Sequence, residues 1–151
     1  MKDTNYDDIL ALSPAELRRR QFTKGWALSA VGGVVYGVLR LFGQKPKDFH
    51  GICTYFTIGK SWGGLEFGWF FICAKNANDR TKMHEVGHGI QNAKIGGLKM
   101  LGLSIGSALR YWKREIFGAT TPYDSWWFEG QATELGKLYT EKTIKEEQTN
   151  G

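Results

Sequence analysis

The sequence predicts a single α+β domain in which a short antiparallel β-hairpin is followed by three to four helices. The chain has 151 residues, which is enough for one hydrophobic core, and its 42% hydrophobic and 23% charged residues are typical of a folded protein. Two neighbouring segments rich in β-branched and aromatic residues, separated by a glycine-containing turn, predict the hairpin. Apolar segments that begin near capping residues predict the helices.

The N-terminal part divides into two segments. Residues 1–17 are predicted as a polar N-terminal segment, near the end of which Ser13 can cap a helix whose first position is Pro14. Residues 18–43 are predicted as a basic-apolar helix, because three arginines precede a long apolar run.

This basic-apolar segment is open to three interpretations. It can be a helix of the folded domain, or a helix that contacts or anchors in a membrane, since the apolar run approaches the lower length limit for crossing a bilayer. Residues 19–24, "RRQFTK", also fit the twin-arginine export pattern, although the absence of an A-x-A cleavage site after the run disfavours export. The predicted location is therefore membrane-associated or cytoplasmic.

The two predicted strands cover residues 51–59, "GICTYFTIG", and residues 65–74, "LEFGWFFICA". The sequence "KSWGG" between them predicts the turn of the hairpin. Cys53 and Cys73 lie on separate strands, which predicts two buried free thiols. A disulfide between neighbouring strands is the alternative for an extracytoplasmic domain.

Two helices are predicted directly after the hairpin. The first begins at about residue 80, with Asp79 or Thr81 as its cap. The second covers residues 95–112, which are apolar and contain several glycines, and it is predicted to pack closely on its neighbours.

The final helix is predicted over about residues 126–142, with Asp124 or Ser125 as its cap. It completes a metal domain that covers residues 50–142. Residues 143–151 are charged and are predicted as a flexible tail.

An H-E-x-x-H motif lies in the first of these helices, at residues 84–88. His84 and His88 share one helical face and can bind one ion, and a catalytic zinc keeps a position open for water. The metal lowers the pKa of that water, and Glu85 can take its proton and deliver it to a leaving amine. A surface helix with a satisfied histidine pair is the alternative. Gly87 argues against it, because glycine inside a helix costs about 1 kcal/mol relative to alanine, and such a cost suggests that another element packs closely there.

Glu129 is the predicted third ligand. It follows the aromatic residues 126–128, which is a poor setting for a solvent-facing glutamate, and the small Ala132 on the same face would let this helix approach the motif helix closely. Glu134 is the rival ligand, with neighbours that look more exposed. His50, the third histidine of the chain, remains a candidate for a substrate-side group.

These motifs resemble the gluzincin class of zinc metallopeptidases, which has a zincin-like fold and includes the membrane-associated peptidase HtpX and the CAAX-processing endopeptidases. More narrowly, the chain resembles a group of small H-E-x-x-H proteins of bacteria and phages. The resemblance covers about residues 50–140 and rests on "WGG" at 62–64, "HEVGHGIQN" at 84–92, "RYWKRE" at 110–115 and "WFEGQATELG" at 127–136.

The resemblance implies that His84, His88 and Glu129 bind Zn²⁺ and that Glu85 is the general base. One position departs from the HtpX-like pattern, in which an aspartate four residues after the ligand glutamate orients a ligand histidine. Here that position is Thr133, whose hydroxyl can still accept a hydrogen bond from an imidazole, but without charge. The candidates to replace the aspartate are Asp79, Asp124 and Asn92.

The resemblance also implies an edge strand that pairs with an extended peptide beside the cleft, and "LEFGWFFICA" is the candidate. Tyr123, Arg110 and Tyr111 are candidates for stabilising an oxyanion.

The function predicted from the sequence is zinc-dependent hydrolysis of a peptide or protein substrate, with contact at a membrane surface left open. Binding to nucleic acid is not expected, because the basic residues are scattered and no helix carries a continuous basic stripe. A catalytically degenerate zincin-like metal-binding or scaffold protein is the first alternative. A metal-free membrane-associated structural protein is the second.

Overall fold

The computed structural model describes residues 4–118 and 126–150. It contains helices and a small sheet, so the predicted α+β class is confirmed for the described part of the chain. The helices are α1 (Asp7–Leu10), α2 (Pro14–Thr23), α3 (Trp26–Leu41), α4 (Asp79–Ile95), α5 (Gly97–Phe117) and α6 (Trp127–Asn150). The strands are β1 (Lys47–Phe49), β2 (Cys53–Thr57), β3 (Gly64–Glu66) and β4 (Phe70–Cys73).

The sheet has the order β1-β2-β4-β3, and the predicted two-stranded hairpin is wrong. The second predicted strand bends at Gly68, whose φ of 90° favours glycine, and Phe67 N–H donates to Phe70 O across the turn. This bend divides the segment into β3 and β4, which pair with each other, while β4 pairs with β2 in parallel. All four residues of β4 are buried, as expected for a central strand with a parallel partner.

Helix α4 crosses the core, and its closest neighbour is α6. A Cβ atom at Gly87 would lie 1.8 Å from the backbone oxygen of Ala132, and one at Gly136 would lie 1.7 Å from the backbone oxygen of Met83. Both glycines are therefore required by the contact between the two helices. The close approach predicted from Gly87 and Ala132 is confirmed.

The predicted start of α2 is confirmed, since Ser13 and Glu16 form a reciprocal capping box around Pro14. The segment predicted as one basic-apolar helix is divided between α2 and α3, which are bent by 100°. Within residues 4–118 and 126–150, no helix alone has the length and apolar character needed to cross a membrane, although α2 and α3 pass that test together.

Two local predictions differ from the structure, and a third falls on residues that it does not describe. Asn78, rather than Asp79 or Thr81, caps α4, and its side chain accepts a hydrogen bond from the Thr81 N–H. Helix α6 continues to Asn150 through the segment predicted as a flexible tail. The predicted cap residues of α6, Asp124 and Ser125, lie outside the described residues.

Contacts with the N-terminal segment anchor α6 just before the part by which it is longer than predicted. Tyr139 Oη donates to Leu12 O, and Lys142 Nζ donates to Leu10 O. These bonds join residues more than a hundred positions apart, so the local sequence around α6 does not reveal them. Cys53 and Cys73 are buried and free, as predicted.

Candidate metal centre

Two helices bring the three predicted ligands together. Helix α4 presents His84 and His88 one turn apart, and the first turn of α6 presents Glu129. Glu129 Oε2 lies 3.1 Å from His84 Nε2 and 3.2 Å from His88 Nε2, and the two Nε2 atoms are 3.1 Å apart. These three side chains are close enough to hold one metal ion.

The hydrogen bonds of His84 determine which ring nitrogen carries its proton. His84 Nδ1 lies 2.8 Å from Thr133 Oγ1, and this hydroxyl donates to the backbone oxygen of Glu129. Because the hydroxyl hydrogen is used in that bond, Thr133 accepts the hydrogen of His84 Nδ1. The lone pair of His84 Nε2 therefore points toward Glu129.

Gln91 has the same effect on His88. Its Nε2 donates to Phe128 O and Gln131 Oε1, both in α6, so its Oε1 faces His88 Nδ1 at 2.9 Å. The imidazole must then donate from Nδ1, which leaves the lone pair on Nε2. Gln91 also connects the motif helix to the ligand helix.

Glu129 is fully buried, and its two carboxylate oxygens have different neighbours. Oε1 accepts a hydrogen bond from the Ser107 hydroxyl of α5, whereas Oε2 faces both imidazoles. When both imidazoles are neutral, three lone pairs thus point toward one another, an arrangement that is repulsive unless a proton or a metal ion lies between them. Two imidazole nitrogens and a carboxylate oxygen are a donor set that fits zinc.

The charges of this cluster perturb its pKa values. Burial raises the pKa of Glu129, but hydrogen bonds with His84 and His88 lower it more, so its pKa lies well below the ordinary value. Burial lowers the pKa of His88, while the hydrogen bond and charge of Glu129 raise it to about 9. A proton on His88 and a metal ion therefore compete for the same carboxylate, and metal binding would release that proton.

Glu85 lies beside this cluster and is almost fully buried. A Cβ atom at Gly64 would lie 2.4 Å from Glu85 Oε1, so the glycine of β3 makes room for the carboxylate. Burial raises the pKa of Glu85, and the lowering effects of His84 and His88 do not cancel the rise.

A cleft between β3 and α5 leads to the cluster. It contains about 610 Å³ of space, part of it open to solvent. His88 and Glu85 contribute to its wall together with apolar and aromatic side chains. The other lining residues are Trp62, Gly64, Leu65, Glu66, Ser104, Ser107, Ala108, Tyr111, Trp112 and Phe128.

The predicted edge strand is only partly correct. The sheet order places β3 at the edge, beside the cleft, whereas β4 lies inside the sheet. On either side of β3, Gly63 O accepts a hydrogen bond from Ala74 N–H and Phe67 N–H donates to Phe70 O, so residues 63 and 67 bond toward β4. In an antiparallel pair, the N–H and C=O groups of successive residues point alternately toward the partner strand and away from it. The peptide groups of Gly64 and Glu66 therefore point away from β4.

Several predicted residues do not join the site. His50 is exposed in the turn after β1, and Glu134 is exposed on α6. Asp79 pairs with Lys82, and Asn92 packs under Gly25 instead of orienting a histidine.

The three residues predicted as candidates for stabilising an oxyanion lie in different places. Tyr111 lines the cleft, and Arg110 is not among the lining residues. Tyr123 and Asp124 lie outside the described residues.

The sequence analysis missed three polar residues of the site. Gln91 lies three positions after His88, and Ser107 is a small polar residue within the apolar run of α5, so both had a sequence signal. Glu66 is a buried carboxylate in the cleft wall. Burial raises its pKa to about 8, although the charge of His88 and the Gly68 N–H act in the opposite direction and the charge of Glu85 adds to the rise.

No family model, no curated protein and no solved structure matches this chain. The resemblance to zinc metallopeptidases stays a prediction. The distances and hydrogen bonds of the site show that His84, His88 and Glu129 form a cluster able to hold a metal ion.

Proposed function

We propose that this chain is a zinc-dependent metallopeptidase with a zincin-like fold. His84, His88 and Glu129 hold the zinc, and Glu85 is the general base. The observation that carries the proposal is the convergence of three lone pairs, held by Thr133, Gln91 and Ser107, next to a buried carboxylate in a cleft wall.

The protein's own residues divide the chemical work. A zinc ion in this position acts as a Lewis acid and brings the pKa of a coordinated water toward neutrality. Glu85 accepts a proton at its carboxylate and returns it to the leaving amine. The position of Glu85 supports this role, because its buried carboxylate lies in the cleft wall beside His88, where Gly64 makes room for it.

The walls of the cleft support an extended peptide as substrate. Gly64 and Glu66 can offer backbone groups to an added strand, which is a common mode of peptide recognition. Leu65, Trp112 and Tyr111 supply apolar surface for side chains of that peptide.

The decisive experiment measures metal content and peptide cleavage on the same preparations. Elemental analysis of the purified protein identifies the metal as zinc, manganese or iron, and a peptide library reports cleavage. We expect the wild type and Glu85→Gln to bind metal equally and only the wild type to cleave. Glu134→Gln, which neutralises an exposed glutamate of α6, is the matched control and should retain both properties.

A metal-binding protein without turnover is the second candidate. Thr133 favours it, because a neutral hydroxyl orients His84 where an aspartate would strengthen the histidine as a ligand. Metal in the wild type with no cleavage of any peptide would establish this candidate. Absence of metal from protein purified without chelator would support a structural role instead.

A further inference from the structure

The outward half of α3 is apolar. Val34 is 70% exposed and Leu41 is 87% exposed, and both lie away from the side that packs on the sheet. The exposed positions between them are glycine, valine and Arg40, the only charged residue of this helix. An isolated exposed apolar residue is common, but an apolar surface along a whole helix indicates a binding partner.

Helix α5 also carries an exposed apolar stripe. Leu98, Ile105, Leu109, Trp112 and Ile116 are exposed and recur at helical spacing, so they form one continuous row. The expectation that this helix packs closely on its neighbours is therefore wrong for one side of it.

The two apolar surfaces belong to helices that touch. Gly97 N–H donates to Lys24 O, so α5 begins beside the start of α3, and Leu28 packs against Met100 between the helices. We call these two exposed surfaces together the α3–α5 face. It comprises Trp26, Val31, Val34, Val38 and Leu41 from α3, and Leu98, Ile105, Leu109, Trp112 and Ile116 from α5.

The charged residues in and around α3 and α5 are mostly basic. Residues 17–47, which contain α3, have seven basic residues and no acidic residue. Residues 86–114, which contain most of α5, have five basic residues and no acidic residue. Arg20 and Lys94 pair with Asp8, and Glu115 follows Lys113 by two positions, but the exposed Lys24, Arg40 and Lys99 have no acidic residue near them in sequence.

We propose that the α3–α5 face docks on the surface of an anionic lipid bilayer. Exposed apolar side chains flanked by lysine and arginine are the composition of helices that lie in the membrane interface. A second copy of this chain fits less well, because two such faces would bring mostly basic residues together.

The docked orientation has a consequence for the cleft. Ser104, Ala108 and Tyr111 of α5 line the cleft, and the exposed stripe lies about 100° further round the same helix. Trp112 belongs to both surfaces, since it lines the cleft and is largely exposed. The cleft then opens close to the lipid headgroups, which favours peptides at a membrane surface as substrates. This consequence depends on the proposed peptidase function, whereas the docking does not.

Vesicle flotation of the full chain tests the docking without any activity measurement. We expect binding to vesicles of phosphatidylcholine with phosphatidylglycerol, weaker binding to phosphatidylcholine alone, and loss of binding at high salt. Val34→Glu and Leu109→Glu should each weaken binding at least about tenfold. Lys99→Gln should weaken it about fivefold.

Leu138→Glu is the matched control, because this exposed leucine lies on α6, outside the α3–α5 face. It should bind vesicles like the wild type, and circular dichroism should show that every variant is folded. Failure of the wild type to bind anionic vesicles would overturn the proposal. The proposal would also be overturned if Val34→Glu and Leu109→Glu bound these vesicles as tightly as the wild type. A wild-type dimer that Val34→Glu converts to a monomer, without vesicle binding, would assign the face to self-association instead.

Discussion

Two helix pairs, α4 with α6 and α3 with α5, both contain glycines inside their helices, but these glycines have different surroundings. In the first pair, a Cβ atom at Gly87 or Gly136 would overlap the backbone of the partner helix. In the second pair, Gly33, Gly37 and Gly102 have nothing near the position of a Cβ atom. Glycine in a helix therefore indicates close packing only when another backbone lies opposite it.

The two regions also differ in what they bury. Contact between α4 and α6 encloses a hydrogen-bonded polar cluster that includes Gln91 and Glu129, both fully buried. Helices α3 and α5 leave a wide apolar surface exposed. The first region has a cluster that could hold a metal ion, and the second is the proposed docking surface. Five predictions test this contrast, from the largest expected effect to the smallest.

Gly87→Ala should have the largest effect. The new methyl group would lie 1.8 Å from the backbone oxygen of Ala132, and a backbone cannot move aside as a flexible side chain can. We expect a loss of at least about 3 kcal/mol in the free energy of unfolding, together with loss of bound metal. Urea denaturation measures the first and elemental analysis the second. Near-wild-type stability would show that α4 and α6 are further apart than described.

Glu129→Ala should lower zinc affinity more than about 100-fold, because it removes a ligand and leaves the two imidazoles without the carboxylate that attracts the cation. Glu134→Ala removes an exposed carboxylate of the same helix and should change affinity little. Competition with a chromogenic chelator measures both. The reverse result would assign the third ligand to Glu134.

Glu66→Gln should remove a pH dependence of stability. The ordinary pKa of this carboxyl is 4.5, and burial raises it to about 8 in the folded protein. Because the folded state holds the proton more tightly, wild-type stability is highest below pH 4.5 and falls as the pH rises to about 8. The variant should exceed the wild type by little at pH 4, by on the order of 2 kcal/mol at pH 6 and by more at pH 8. Urea denaturation of chelator-treated protein at several pH values measures the two free energies of unfolding. A difference between them that does not change with pH would contradict the prediction.

Thr133→Val should lower zinc affinity about tenfold, because His84 loses the acceptor that holds its Nδ1 hydrogen. Thr149→Val is the control, since that hydroxyl also bonds the backbone oxygen four residues earlier but is exposed and far along α6. Chelator competition applies here too. Equal affinities for the two variants would mean that Thr133 does not orient the histidine.

Gly37→Ala should have the smallest effect and the opposite sign to Gly87→Ala. Nothing lies within 4 Å of a Cβ atom at this position, so alanine gains helix propensity without a clash. We expect stabilisation of about 0.5–1 kcal/mol by thermal or urea unfolding. Destabilisation would show that the outward side of α3 is covered in the folded protein.

Much of the candidate site could be predicted because its parts are local. The spacing of His84 and His88 places them on one face of any helix, and the aromatic residues before Glu129 signal its burial. The partners that orient the histidines were harder to predict. Thr133 was identified as a weak substitute for an aspartate, yet only the packing of α6 on α4 shows that it reaches His84.

The sequence by itself determined the elements whose rules are local: the cap at Ser13 and Pro14, the shared face of the two histidines and the small residues where α4 meets α6. Only the tertiary structure decided the parallel pairing of β2 with β4, because strand pairing depends on which distant segments meet. Tertiary structure alone also decided that one side of α5 stays exposed. An apolar helical pattern has the same period whether another element of the chain covers it or it faces outward.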